Sequence, residues 1–116
     1  MPDRHRFTKA SAYYATAAHE LTHWTGAEHR LNRRFGRRFG DQAYAFEELV
    51  AELGAAFLCA ELGIYGEVEN HASYLAGWLD VLRKDKRAIF HAAAKAGEAH
   101  RYLMSLYMQE SLKAVA

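Results

Sequence analysis

A chain of 116 residues whose only proline stands at position 2 contains little but glycine to interrupt a helix. Five of the eight glycines gather at a few points, Gly26, then Gly36 and Gly40, then Gly63 and Gly66, and these points are the joints. Between them apolar residues recur with helical period, and no convincing run alternates with period two. The pattern predicts helices over roughly 10–25, 41–62, 69–83 and 86–113, the last either continuous or broken near Gly97. The expected fold is therefore all-α, with four to five helices. Asp41 can cap the second helix and Gly63 can end it, while Asn70 or Glu69 opens the third.

Composition removes several classes. A formal net charge of +1 names no partner by bulk electrostatics. Cys59 is the single cysteine, which excludes an internal disulfide framework and an all-cysteine zinc site and suits a reducing compartment. No apolar run approaches the roughly 18 residues that cross a bilayer, and the charged start "MPDRHRFTKAS" does not resemble a signal peptide. The expectation is a soluble, cytoplasmic protein with no membrane partner. A domain this short buries only about two thirds of its unfolded surface, so a metal tying two elements together adds usefully to its stability.

The chemistry concentrates in "AAHELTHWTG", residues 17–26. Projected at about 100° per residue, Tyr13, Tyr14, Ala17, Leu21 and Trp24 form a broad apolar side, expected to face the core. His19 and His23 fall together on the other side, among the small residues Ala12, Ala15 and Thr16. Histidines four apart are stacked neighbours, so each can present one ring nitrogen to a single ion at about 2.0–2.1 Å. Glu20, one step around the helix, sits beside such an ion without ligating it, where a base acting on metal-bound water belongs.

A catalytic zinc site needs a third protein ligand and an open fourth position. On the second helix Phe46, Leu49, Val50, Leu53, Phe57 and Ala60 form an apolar side, and Glu48, Glu52, Ala55 and Cys59 line the other. Glu48 is the preferred third ligand and Glu47 its rival. Glu52, one turn beyond Glu48, can accept the free N–H of a ligating histidine from behind the metal. Cys59 lies about 16 Å along the axis from Glu48, too far to share the ion, and reads as a small buried filler.

Elsewhere the simpler readings dominate. His71 projects with Leu75, Trp78 and Leu82 and reads as a core histidine; if it reaches the cleft, His71 or Tyr74 can stabilise an oxyanion. Trp24 and Trp78 read as core, and His29, His91 and His100 as surface. The connector "AEHRLNRRFGRRFG" carries Arg30, Arg33, Arg34, Arg37 and Arg38 with Phe35 and Phe39 interleaved. Arg33, Arg34, Arg37 and Arg38 are candidates for nucleic-acid contact, the alternative being a solvated loop pinned by two phenylalanines.

Three blocks in order, "YYATAAHELTHWTGAEHRLNRRFG", "AYAFEELVAELGAAFLCAELGI" and "HASYLAGWLDVLRKDKRAIFHAAAKA", resemble the zincin-type metallopeptidase domain at the C-terminal end of ArdC-type antirestriction proteins and related plasmid or phage polyvalent proteins. The resemblance spans residues 7–103. It implies one zinc ion at His19 and His23, catalysis by Glu20 and a ligand in the EELVAE block, placed at Glu48 by its facing. It resembles the ExxxD arrangement of thermolysin-like enzymes, with Glu52 in place of the aspartate. The family's longer members carry an N-terminal single-stranded-DNA-binding domain, so the resemblance implies a single metallopeptidase domain over 1–116, with 1–9 as an extension.

Two functions follow as expectations. One is a zinc metallopeptidase of the HExxH-plus-distant-glutamate type, acting on a peptide or protein substrate. The other is a zinc-stabilised module that contacts single-stranded DNA or a restriction-system partner without cutting anything.

Overall fold

The computed structural model describes residues 10–33, 42–64 and 83–115, and these contain three helices. Helix α1 spans Ala10–Thr25, α2 spans Gln42–Leu62 and α3 spans Ala88–Val115. The class is mainly α. The helix anticipated over 69–83, and with it His71, Tyr74 and Trp78, lies outside the described residues, as do Asp41, Arg34, Arg37 and Arg38. Of the two alternatives at Gly97 the continuous helix holds: α3 runs through it for 28 residues. A lone glycine costs a helix only about 1 kcal/mol, which packing on both sides offsets.

Helix α2 ends where local chemistry places its end. Gly63 takes φ 73°, which an L side chain rarely adopts, and Ile64 N–H then donates to Cys59 O at 2.8 Å. This is the six-to-one bond of a Schellman cap, which satisfies a carbonyl that the helix leaves open.

Helix α2 packs between the other two. Leu49 and Val50, fully buried, meet Ala92 and Ala96 of α3, with Phe46, Leu53 and Ile89 closing around them. A second cluster joins Ala18 of α1 to Ala55 and Leu58 of α2, with Leu103 and Met104 of α3 against it. The buried face of α3 is the row Ala88, Ala92, Ala96 and Ala99, and the small side chains of Ala92 and Ala96 let α2 approach closely.

Helix α1 departs from the expected facing. Its buried residues are Ala15, Ala18, His19, Thr22 and Thr25, whereas Leu21 is 47% exposed, Trp24 43% and Tyr14 41%. The largest apolar side chains thus do not form the core face, and Phe57 of α2 is likewise exposed. The reason is the close meeting of α1 and α2. An ideal Cβ at Gly54 would stand 2.5 Å from Thr22 Cγ2 and 2.6 Å from its Oγ1, so only glycine lets the helices come this near. That approach puts the small, polar side of α1, with both histidines, against α2. Tyr14, Leu21, Leu58, Leu62, Met104 and Tyr107 instead line an open apolar groove of about 240 Å³.

Candidate metal centre

The helical repeat stacks His19 and His23 with ring centroids 4.8 Å apart and their Nε2 atoms 3.2 Å apart. The Glu48 carboxylate faces both: Oε2 lies 3.2 Å from His19 Nε2 and Oε1 lies 2.9 Å from His23 Nε2. One ligand atom from each of the three residues lies within 4.8 Å of the others, a set that could hold one metal ion.

Behind this triad each imidazole is held at its other nitrogen. His19 Nδ1 donates to Glu52 Oε2 at 2.9 Å, and His23 Nδ1 donates to Glu47 Oε2 at 2.8 Å. A carboxylate can only accept, so each Nδ1 carries the hydrogen and each Nε2 is directed to the common point. Glu47 and Glu52 are almost fully buried, and α2 passes α1 in the opposite sense, pairing 19 with 52 and 23 with 47.

Glu47 is held in turn by Arg33. Nε reaches Glu47 Oε1 at 2.9 Å and Nη2 reaches Oε2 at 3.1 Å, a bidentate grip. The remaining donors close the end of α1, Nη1 to Thr25 Oγ1 at 2.8 Å and Nη2 to Thr22 O at 2.6 Å. Arg33, a candidate for nucleic-acid contact or for a solvated loop, instead turns its side chain inward, where it is 5% exposed. The fold of the connector brings it there. Leu31 N–H donates to Thr25 O and Arg33 N–H to Gly26 O, with Asn32 in the left-handed region at φ 52°. Asparagine tolerates that conformation better than most residues. Arg30 is also turned back, 3.8 Å above the Trp24 ring.

The electrostatics match these contacts. Burial lowers the pKa of His19, but its hydrogen bonds to Glu48 and Glu52 outweigh burial and raise it to about 9. For His23, burial again opposes, and Glu47 and Glu48 raise the value to about 9. The two imidazoles in turn hold Glu48 down at about 2. Glu20 is exposed. Tyr44, one turn before Glu48 on α2, has its phenol pKa raised by Glu48, then by burial, then by Glu20, so it stands in the field of both carboxylates.

Glu47, the rival third ligand by sequence, turns its oxygens to His23 Nδ1 and Arg33. The buried partner role of Glu47, the Arg33 grip and the presence of Tyr44 beside the site were not read from the sequence. The i−4 spacing of Tyr44 from Glu48 was the one available signal. Nothing in the spacing of Arg33 distinguished it from its neighbouring arginines.

A helical scaffold that sets an HExxH helix against a second helix bearing the opposing acid belongs to the zincin-like class. The profile of the zincin-like metallopeptidase family matches residues 1–95, and the chain belongs to that family. It is 50% identical over 97 residues to an uncharacterized protein, y4eC, of Sinorhizobium fredii, covering 83% of this chain and 32% of that protein. It is 41% identical over 110 residues to the DNA primase TraC of Escherichia coli, covering 95% of this chain and 10% of TraC. Crystal structures of the antirestriction protein ArdC from plasmid R388 superpose with TM-scores of 0.74 for the Mn(II)-bound form and 0.71 for the metal-free form. Identity is 48%, over 90% of this chain and 39% and 38% of the respective ArdC chains. The chain thus spans well under half the length of each of these relatives.

Proposed function

We propose that this chain is a zinc-dependent peptidase module of the antirestriction type, with the ion held by His19, His23 and Glu48 and with Glu20 as the base. The observation that carries the reading is the convergence of both Nε2 atoms on one carboxylate while both Nδ1 atoms are occupied from behind. Two imidazole nitrogens and a carboxylate, inwardly directed and oriented by buried acids, are a donor set suited to zinc. The Mn(II)-bound form of ArdC supports metal occupancy at a fold of this kind.

An ion bound there would supply Lewis-acid polarisation and would make water acidic near neutral pH. The residues of the chain do the rest. Glu52 and Glu47 keep the Nδ1 hydrogens in place and so fix the ring orientations. Glu48 offsets positive charge at the common point. Glu20 takes a proton on a carboxylate oxygen from the water attacking a peptide carbonyl, then delivers it to the leaving amine nitrogen, so the proton is conserved through cleavage. One domain over 1–116 and a cytoplasmic location belong to the same proposal; among the described residues no helix is long and apolar enough to cross a membrane.

The test is metal content and proteolysis, on an unstructured protein substrate, by wild type and Glu20→Gln. Retained zinc with lost cleavage supports the reading; equal cleavage by both proteins overturns it. A non-cutting module that contacts single-stranded DNA is the second reading, favoured by the names of its antirestriction and primase relatives. The inward turn of Arg33 removes one of the four arginines on which it drew.

A further inference from the structure

Arg33 sits at the far end of a three-residue chain that ends at the site, Arg33 to Glu47 to His23. Every member is half-buried or buried, and the guanidinium spends its donors on four acceptors: both Glu47 oxygens, Thr25 Oγ1 and Thr22 O. We infer that Arg33 is a positioning residue for the metal centre, gripping Glu47 so that Glu47 holds the His23 ring with Nε2 directed at Glu48. This inference rests on the metal-binding reading above.

The physical case comes from geometry. A lone carboxylate beside an imidazole can rotate about its terminal torsion and offer either oxygen, leaving the ring free to swing. Bidentate contact with a planar guanidinium fixes both oxygens at once. Glu47 Oε1 then faces Arg33 while Oε2 is shared between Arg33 and His23. The guanidinium is itself anchored to the end of α1, the helix that carries His23. The ring, its acid and the acid's clamp therefore form a closed circuit between α1, the connector and α2. A lysine could supply the charge but could not grip two oxygens and cap α1 together.

Cobalt(II) uptake by the full chain is the test, with affinity read by competition against a chromophoric chelator and geometry read from the visible absorption bands. Arg33→Met is expected to weaken Co(II) binding about 10- to 100-fold and to alter the bands, the range seen when outer partners of metal ligands are lost. Arg33→Lys should fall between Arg33→Met and wild type, and it serves if Arg33→Met fails to fold. In a Glu47→Gln background, where the grip is already broken, Arg33→Met should cost little more. An equal loss in both backgrounds would show that Arg33 acts through the scaffold alone and overturns the inference. So does unchanged Co(II) affinity and spectrum in Arg33→Met and Arg33→Lys. If wild type itself takes up no Co(II), the metal reading fails first; if wild type binds and the Arg33 variants bind equally well, only this inference fails.

Discussion

Nδ1 of His19 donates to Glu52 Oε2 at 2.9 Å across 33 residues of sequence, in an almost fully buried pocket between α1 and α2. The contact orients a proposed ligand without occupying the ligand position. Glu52→Ala is expected to lower metal affinity about 10- to 100-fold while leaving Glu48 in place. Chelator competition measures it; an unchanged affinity would remove Glu52 from any orienting role.

Glu20 has a chemical rather than a structural task in the proposed mechanism, since its side chain is exposed and not packed into the core. Glu20→Gln should keep the fold and the metal and slow cleavage by about 10²- to 10⁴-fold, the usual scale of a positioned proton-transfer group. Steady-state proteolysis beside elemental analysis of the same preparation decides it.

Gly54 sets the distance between α1 and α2. Gly54→Ala would press a methyl group into Thr22 and should destabilise the fold by about 1–3 kcal/mol, the cost of overpacking. Calorimetric melts report this, and Thr22→Ala, which removes both clashing atoms, should reduce the cost when combined with it. Additive losses in the double variant would contradict the contact.

The metal-free protein should show a stability plateau with pH. His19 and His23, raised from 6.5 to about 9, contribute fully below 6.5, and that contribution is lost as pH rises through about 9. Glu48, lowered from 4.5 to about 2, contributes above 4.5 and loses it as pH falls through about 2. Melting midpoints of the chelator-treated chain should therefore be flat between pH 4.5 and 6.5 and fall progressively on both sides, towards about 9 and about 2. Metal uptake should run the opposite way over the alkaline range, strengthening towards pH 9 as the imidazole protons it must displace become easier to remove.

Removing the metal should lower the melting midpoint, because an ion held by α1 and α2 together favours the folded state alone. With free zinc at about 100 times its dissociation constant the stabilisation is about 2.7 kcal/mol. An identical midpoint with and without chelator would indicate that no ion bridges the two helices.

Much of the fold can be read along the chain. The limits of α1 and α2, and the Gly63 stop with its positive φ, follow from caps, joints and period. The apolar facing of α1 does not, because periodicity ranks residues by hydrophobicity and cannot see that Thr22 meets Gly54. That close contact buried the small polar side and left Leu21 and Trp24 half in solvent. Nor does spacing show that Ala92 and Ala96 of the alanine-rich stretch "HAAAKAGEAH" meet Leu49 and Val50 of α2.

What the sequence by itself determined is local: a helix repeats every 3.6 residues, so HELTH must place two imidazoles side by side with an acid at their flank, whatever surrounds them. Which of Glu47, Glu48 and Glu52 faces the space between those rings depends on how closely and at what angle α2 crosses α1, a relationship between segments that no spacing encodes. The crossing sends Glu48 between the rings and the other two behind them. It also turns Arg33 inward, because burying Glu47 beside the end of α1 leaves a carboxylate and a carbonyl that only a forked cation nearby could satisfy together.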